Sequence, residues 1–89
     1  MRVYTYHTDP GHGWLEVPYR DVLNAGLSLN DFKDFSYARV DNYVAKLYLE
    51  EDCHMPLFLK ALEAKGIKFK LEEKYHEHDA PMRDWPRIR

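Results

Sequence analysis

The chain has 89 residues, 13 of them basic and 15 acidic, for a formal net charge of −2. A chain of that length forms one domain that buries roughly 60 to 65% of the surface its unfolded form exposes, which leaves no room for a second core. The charge balance excludes both a general affinity for duplex DNA and a strongly acidic mimic of DNA, and the single cysteine, Cys53, excludes an internal disulfide.

Hydrophobic residues make up 45% of the chain and charged residues 31%, proportions of a folded domain rather than a disordered one. The lone thiol fits a reducing compartment. The opening MRVYTYHTDPGHG lacks an apolar run of signal-peptide length, and no stretch approaches the roughly 20 apolar residues of a membrane span. A cytoplasmic protein without a membrane anchor is therefore expected.

Arg2 to Thr8 is rich in β-branched and aromatic residues and predicts a strand, with Val3, Thr5 and His7 on one face and Arg2, Tyr4, Tyr6 and Thr8 on the other. Asp9-Pro10-Gly11-His12-Gly13 suits a hairpin loop, which makes Trp14 to Val17 the returning strand. Pro18 fits the first turn of a short helix in which Tyr19, Val22 and Leu23 recur at helical spacing before Gly26 closes it. Leu27 to Asp34 reads as a loop.

The pattern sharpens at Phe35. Phe35 to Val40 and Tyr43 to Glu50 flank Asp41-Asn42, a two-residue connection tolerant of a type I′ turn, and that register sets Val40 opposite Tyr43 and Tyr37 opposite Lys46. One face then carries Ser36, Ala38, Val40, Tyr43, Ala45, Leu47 and Leu49, small and aliphatic side chains suited to close helix packing. The other carries Phe35, Tyr37, Arg39, Val44, Lys46 and Tyr48. Glu50-Glu51-Asp52 places negative charge at the start of a second helix, with Asp52 as its cap, Leu57, Phe58, Ala61 and Leu62 as its buried stripe and Lys65-Gly66 as its end. Ile67 to Tyr75 alternates apolar residues with Lys68, Lys70, Glu72 and Lys74, as a half-buried edge strand does.

From His76 onward the chain is polar, and Pro81 and Pro86 interrupt regular structure around Trp85. The expected organisation is one α+β domain over residues 1–78 with an extended C-terminal tail over 79–89. Its order, ββαββαβ, describes an antiparallel sheet of about five strands with two helices on one face. With the first hairpin taken as an elaborated first strand, the order becomes that of the ferredoxin-like split βαβ fold. The alternative is a less regular sheet with that hairpin at an edge.

The aromatic and basic constellation is the main candidate for function. Tyr4, Tyr6, Phe35, Tyr37, Tyr48 and Trp85 with Arg39 and Lys46 form the expected binding face. Dense tyrosine and tryptophan suit a protein interface, either with a foreign partner or in a homodimer. The same face offers stacking groups and cations for single-stranded nucleic acid, although SYARV and YVAKLYL lack the RNA-recognition consensus. The bland reading is cross-strand aromatic packing beneath the tail.

His76 and His78, at i, i+2 spacing, are weak metal candidates that need a third ligand from His7, His12, Asp79 or Cys53, and no CxxC or HExxH signature supports them. A histidine-dependent metalloenzyme using His7, His12, His76 and His78 ranks third among the functional readings. Asp52-Cys53-His54 superficially offers acid, nucleophile and base, but neighbours at a helix start rarely point at one another, so no catalytic residue and no cofactor is assigned.

HTDPGHGWLEVP, YVAKLYLEEDC with its following helix, and PMRDWPRI together resemble a group of small uncharacterised proteins found in bacterial, phage and plasmid sequences, over most of the chain. That group more typically reads EEDCD, so His54 is a departure that weakens any catalytic role for it. The resemblance implies a mobile-element setting, where small compact domains often act by binding a host protein.

Overall fold

The computed structural model describes residues 1–89. Strands β1 (Arg2–Thr8) and β2 (Gly13–Pro18) form the first hairpin, helix α1 (Tyr19–Asn24) follows, and strands β3 (Tyr37–Asp41) and β4 (Val44–Glu50) form the second. Helix α2 (His54–Ala64) then leads to strand β5 (Phe69–Tyr75), and short 3-10 turns cover Leu29–Phe32 and Pro81–Asp84. The fold class is α+β.

The five strands lie in the order β3-β4-β2-β1-β5. Strand β4 runs antiparallel between β2 and β3, so β2-α1-β3 is a split βαβ unit with β4 inserted. Strand β1 pairs antiparallel with β2 and parallel with β5. The first hairpin therefore adds a strand inside the split βαβ order, pushing the last strand one place outward and making the sheet mixed rather than wholly antiparallel. It occupies the centre of the sheet instead of an edge.

Both helices lie on one face, over Leu15, Val17, Leu47 and Leu49, which are almost wholly buried with Val22, Phe58 and Leu62. Fully burying a side chain of this kind contributes roughly 1.5–3 kcal/mol. Each helix ends the same way. Gly66 (φ 70°) follows α2, where Gly66 N–H donates to the Glu63 carbonyl and Ile67 N–H to the Leu62 carbonyl; Gly26 (φ 84°) closes α1 with the equivalent pair of bonds. Only glycine takes that left-handed position without strain. The start of α2 differs from expectation, because its first amides are satisfied by Glu50 and not by Asp52: the Glu50 carboxylate accepts from the N–H groups of Asp52, Cys53 and His54.

The second hairpin turns at Asn42 (φ 50°) and Tyr43 (φ 64°), one residue later than expected, which pairs Asp41 with Val44 and Tyr37 with Tyr48. The later turn moves the partner of each residue by two, so the residues within β3 and β4 keep their expected faces, while Tyr43 moves into the turn and Phe35 falls before β3.

The last eleven residues are part of the packed structure. Ala80, Met82 and Trp85 lie on the helix-free side against Trp14, Tyr37 and Tyr48. The chain then wraps the start of β3, where Arg87 bridges to Tyr37, Ile88 N–H donates to the Ser36 carbonyl and Asp34 N–H donates to the Ile88 carbonyl. Ile88 inserts into the helix-side core. The expected extended tail is a third layer that closes the sheet.

Candidate functional site

The expected aromatic face separates into three groups. Tyr4 and Tyr6 face the helices: Tyr4 is buried edge-on against Phe58, and Tyr6 packs on the same core while its hydroxyl donates to Glu51. Burial, reinforced by Glu51, pushes the Tyr6 hydroxyl up to about 12. Strand alternation alone does not fix which face of β1 is which, but Tyr6 pairs with Leu15, and Leu15 and Val17 belong to the main core. Phe35 precedes β3 and stands outside the sheet, 55% exposed and tilted against the His54 ring.

Tyr37, Tyr48, Arg39, Lys46 and Trp85 do converge on the helix-free side, where all of the others but Lys46 contact Trp85. Tyr37 and Tyr48 are buried, with the Trp85 ring edge-on to both at 6.5 and 4.8 Å. Burial pushes the Tyr48 hydroxyl up to about 12. The Arg39 guanidinium sits 4.4 Å over Trp85 and also donates to Asp41, while Lys46 donates to Glu16 at 3.0 Å. Stacking surface and cations are thus both engaged within the chain.

The same side holds two polar networks. In one, Glu16 binds His7 Nε2 at 2.8 Å, and His7 Nδ1 lies 3.1 Å from His76 Nε2 with the imidazoles stacked. The His7 bond, assisted by Lys46, overcomes burial and holds Glu16 near 2. With that carboxylate ionised, His7 Nε2 is the donor. His76 is pushed down by burial and by neighbouring His7. His76 thus meets His7 and not His78, and His78 is exposed and takes no part.

Asp9 anchors the other network. Its wholly buried carboxylate accepts from the backbone N–H groups of Gly11, His12 and Ala80 and from Arg83 Nε and Nη2 at 2.6 and 2.8 Å. Arg83 first, then the backbone donors, hold this carboxyl far below its usual range against the opposing effect of burial. The Asp9-Pro10-Gly11-His12 turn and the C-terminal layer are thereby locked together.

Fixed in this way, His12 borders a cleft of about 170 Å³ also lined by Trp14, Phe35, Tyr37, Glu50, Arg83 and Arg87. On its other side His12 Nδ1 lies 3.2 Å from Glu51, and His12, Glu51 and Asp52 bring ligand-type atoms within 4.8 Å of one another. This cluster differs from the expected histidine set, and two of its members, His12 and Asp52, are exposed. Asp52-Cys53-His54 does not assemble as acid, nucleophile and base: Cys53 is exposed, whereas His54 is buried with Nδ1 2.5 Å from Ser36 Oγ.

A further surface lies at the tip of the second hairpin. Val40 and Tyr43 are 68% and 102% exposed, and Val44, Leu23 and Leu29 are also largely open. Two shallow apolar hollows, of about 360 and 280 Å³, meet at Tyr19 and Ala45 and form one groove between the hairpin and α1. The alternation expects Val40, Tyr43 and Ala45 on the helix-packing face, but six-residue α1 covers Leu47 without reaching Val40. No helix is long and apolar enough to cross a membrane. Comparison with protein-family models, curated proteins and solved structures finds no match to this chain.

Proposed function

We propose that the chain is a small non-enzymatic binding protein that engages another protein through the second hairpin and the groove beside it. The observation that carries this reading is an apolar surface, Val40, Tyr43, Val44 and Leu23, left open in a chain whose other aromatic face is closed by its own C-terminal segment. Strand β3 is also a sheet edge, paired with β4 on one side and touched on the other only by Arg87 at Tyr37. Its free backbone groups from Ala38 to Asp41 suit an added strand from a partner, whose alternate apolar side chains would enter the groove. A host protein as that partner agrees with the mobile-element setting implied by the sequence resemblance.

The test is affinity capture from bacterial lysate, with and without nuclease treatment, by the full chain and by a Val40→Ser/Tyr43→Ser double variant. Both side chains are exposed, so the variant should fold normally. A protein retained by the parent and lost from the variant supports the reading; equal retention by both, or loss of the captured species on nuclease treatment, contradicts it. Light scattering identifies the case in which the partner is a second copy of the chain.

A further inference from the structure

The cleft between the first hairpin loop and the C-terminal layer is independent of the hairpin surface, and its chemistry is of a different kind. Three segments distant in sequence build it: His12 and Trp14 from the first hairpin, Phe35 and Glu50 from the second hairpin and its approach, and Arg83 and Arg87 from the C-terminal layer. We propose that it binds a small organic oxyanion, a carboxylate or phosphate carried on a flat ring, with the charged head at Arg87 and the free arm of Arg83 and the ring against Phe35.

The electrostatics favour an anion despite the presence of Glu50. The Glu50 carboxylate lines the cleft, but it accepts from three amides of the α2 start, which offset part of its charge. Arg83 uses Nε and Nη2 on Asp9, with the exposed Asp79 carboxylate 3.9 Å from the same Nε, which leaves Nη1 to donate to a ligand. Arg87 has no carboxylate within ion-pairing distance; its one bond in the fold is a long 3.4 Å contact from Nη1 to the Asp34 carbonyl. A guanidinium with little internal work beside a second, rigidly held one is suited to a planar carboxylate or a phosphate.

The shape limits the rest of the ligand. A volume of about 170 Å³ is below the usual range for drug-sized ligands and accepts a single ring with its acidic group. Trp14 and Tyr37 are buried and form the floor, whereas Phe35 is 55% exposed and offers a free ring face. The cleft is also preorganised, because the Asp9 carboxylate fixes the His12 loop and the Arg83 side chain together.

The experiment is titration of the isotopically labelled full chain with benzoate and with phenyl phosphate in moderate salt, followed by two-dimensional amide NMR. Benzamide, the neutral ring, and inorganic phosphate, the head without the ring, are run alongside. The expected result is saturable shifts at His12, Phe35, Glu50 and Arg87 with at least one ringed acid, and little response to benzamide. Arg87→Gln should weaken binding about tenfold while leaving the melting temperature close to that of the parent. Which acid binds more tightly identifies the head group. No saturable shift with either acid, shifts centred elsewhere, or affinity unchanged in Arg87→Gln overturns the proposal. Equal affinity for inorganic phosphate overturns its ring component. None of these outcomes depends on the hairpin surface.

Discussion

Asp9→Asn tests the keystone of the fold with a single atom exchanged. The carboxylate accepts five hydrogen bonds, Oδ1 from Gly11 N–H, His12 N–H and Arg83 Nη2, and Oδ2 from Ala80 N–H and Arg83 Nε. Asparagine keeps one oxygen for the loop amides and presents an NH₂ group to the remaining two donors. Two charge-assisted bonds are then replaced by opposed donors, in a position with no side-chain exposure at Asp9. Breaking a fully buried pair costs about 3–5 kcal/mol, and because Arg83 retains access to water the lower end applies, about 3 kcal/mol. For a domain of this size that is a fall in Tm of about 12–24 °C. Urea denaturation followed by tryptophan fluorescence measures it, with Trp14 reporting locally because Arg83 lies 5.2 Å over its ring. A loss below about 1 kcal/mol would refute the keystone role, since the C-terminal layer would then be held without Asp9.

Stability should be pH-dependent in two steps on the acid side. His54 and His76 are both held below the usual 6.5, chiefly by burial, so the unfolded chain takes up protons first and stability falls as pH drops through about 6.5 toward their folded values. Asp9 and Glu16 are held low in the fold, so their contribution is present above about 4 and is lost as pH falls further. Thermal melts across this range check both steps, and a flat Tm between pH 5 and 7 would contradict the buried histidines. Trp85→Ala should cost about 2–3 kcal/mol, less than a fully buried tryptophan because Trp85 is only partly buried, and it should also raise the exposure of Tyr48. Equilibrium unfolding measures the first effect and quencher access to tyrosine fluorescence the second.

The hairpins, both helices and the edge strand were legible because alternation, helical spacing and glycine stops are local signals. The faces of the second hairpin survived a misplaced turn, since an error of two residues in pairing preserves parity. Tyr4 and Tyr6 were harder to place because the aromatics of the strand do not by themselves mark the outside; their side follows from the pairing of Tyr6 with Leu15 in β2. The C-terminal layer was legible only through the alternative of aromatic packing beneath the tail, which the contacts of Trp85 with Tyr37 and Tyr48 bear out. Its prolines and charges carry no periodicity, and it is held by separate long-range contacts, Arg83 to Asp9 and Ile88 to Ser36, that no local window contains. The cleft was illegible for the same reason, as its wall is that layer. The open groove at the hairpin tip depends on where α1 ends, a length that the Gly26 stop signalled without showing how much of Val40 and Ala45 would stay uncovered.

The central claim is that the C-terminal segment closes the helix-free face and leaves the second hairpin as the exposed binding element. Native-state amide hydrogen exchange on the full chain measures this directly, residue by residue. The amides of Ala80, Ile88 and Asp34, which donate to Asp9, Ser36 and Ile88, are expected to exchange slowly, while those at the Asn42-Tyr43 turn exchange fast. Exchange of Ala80 and Ile88 at the rate of an unstructured peptide would contradict the claim, because Tyr37, Tyr48 and Trp85 would then be open to a partner after all.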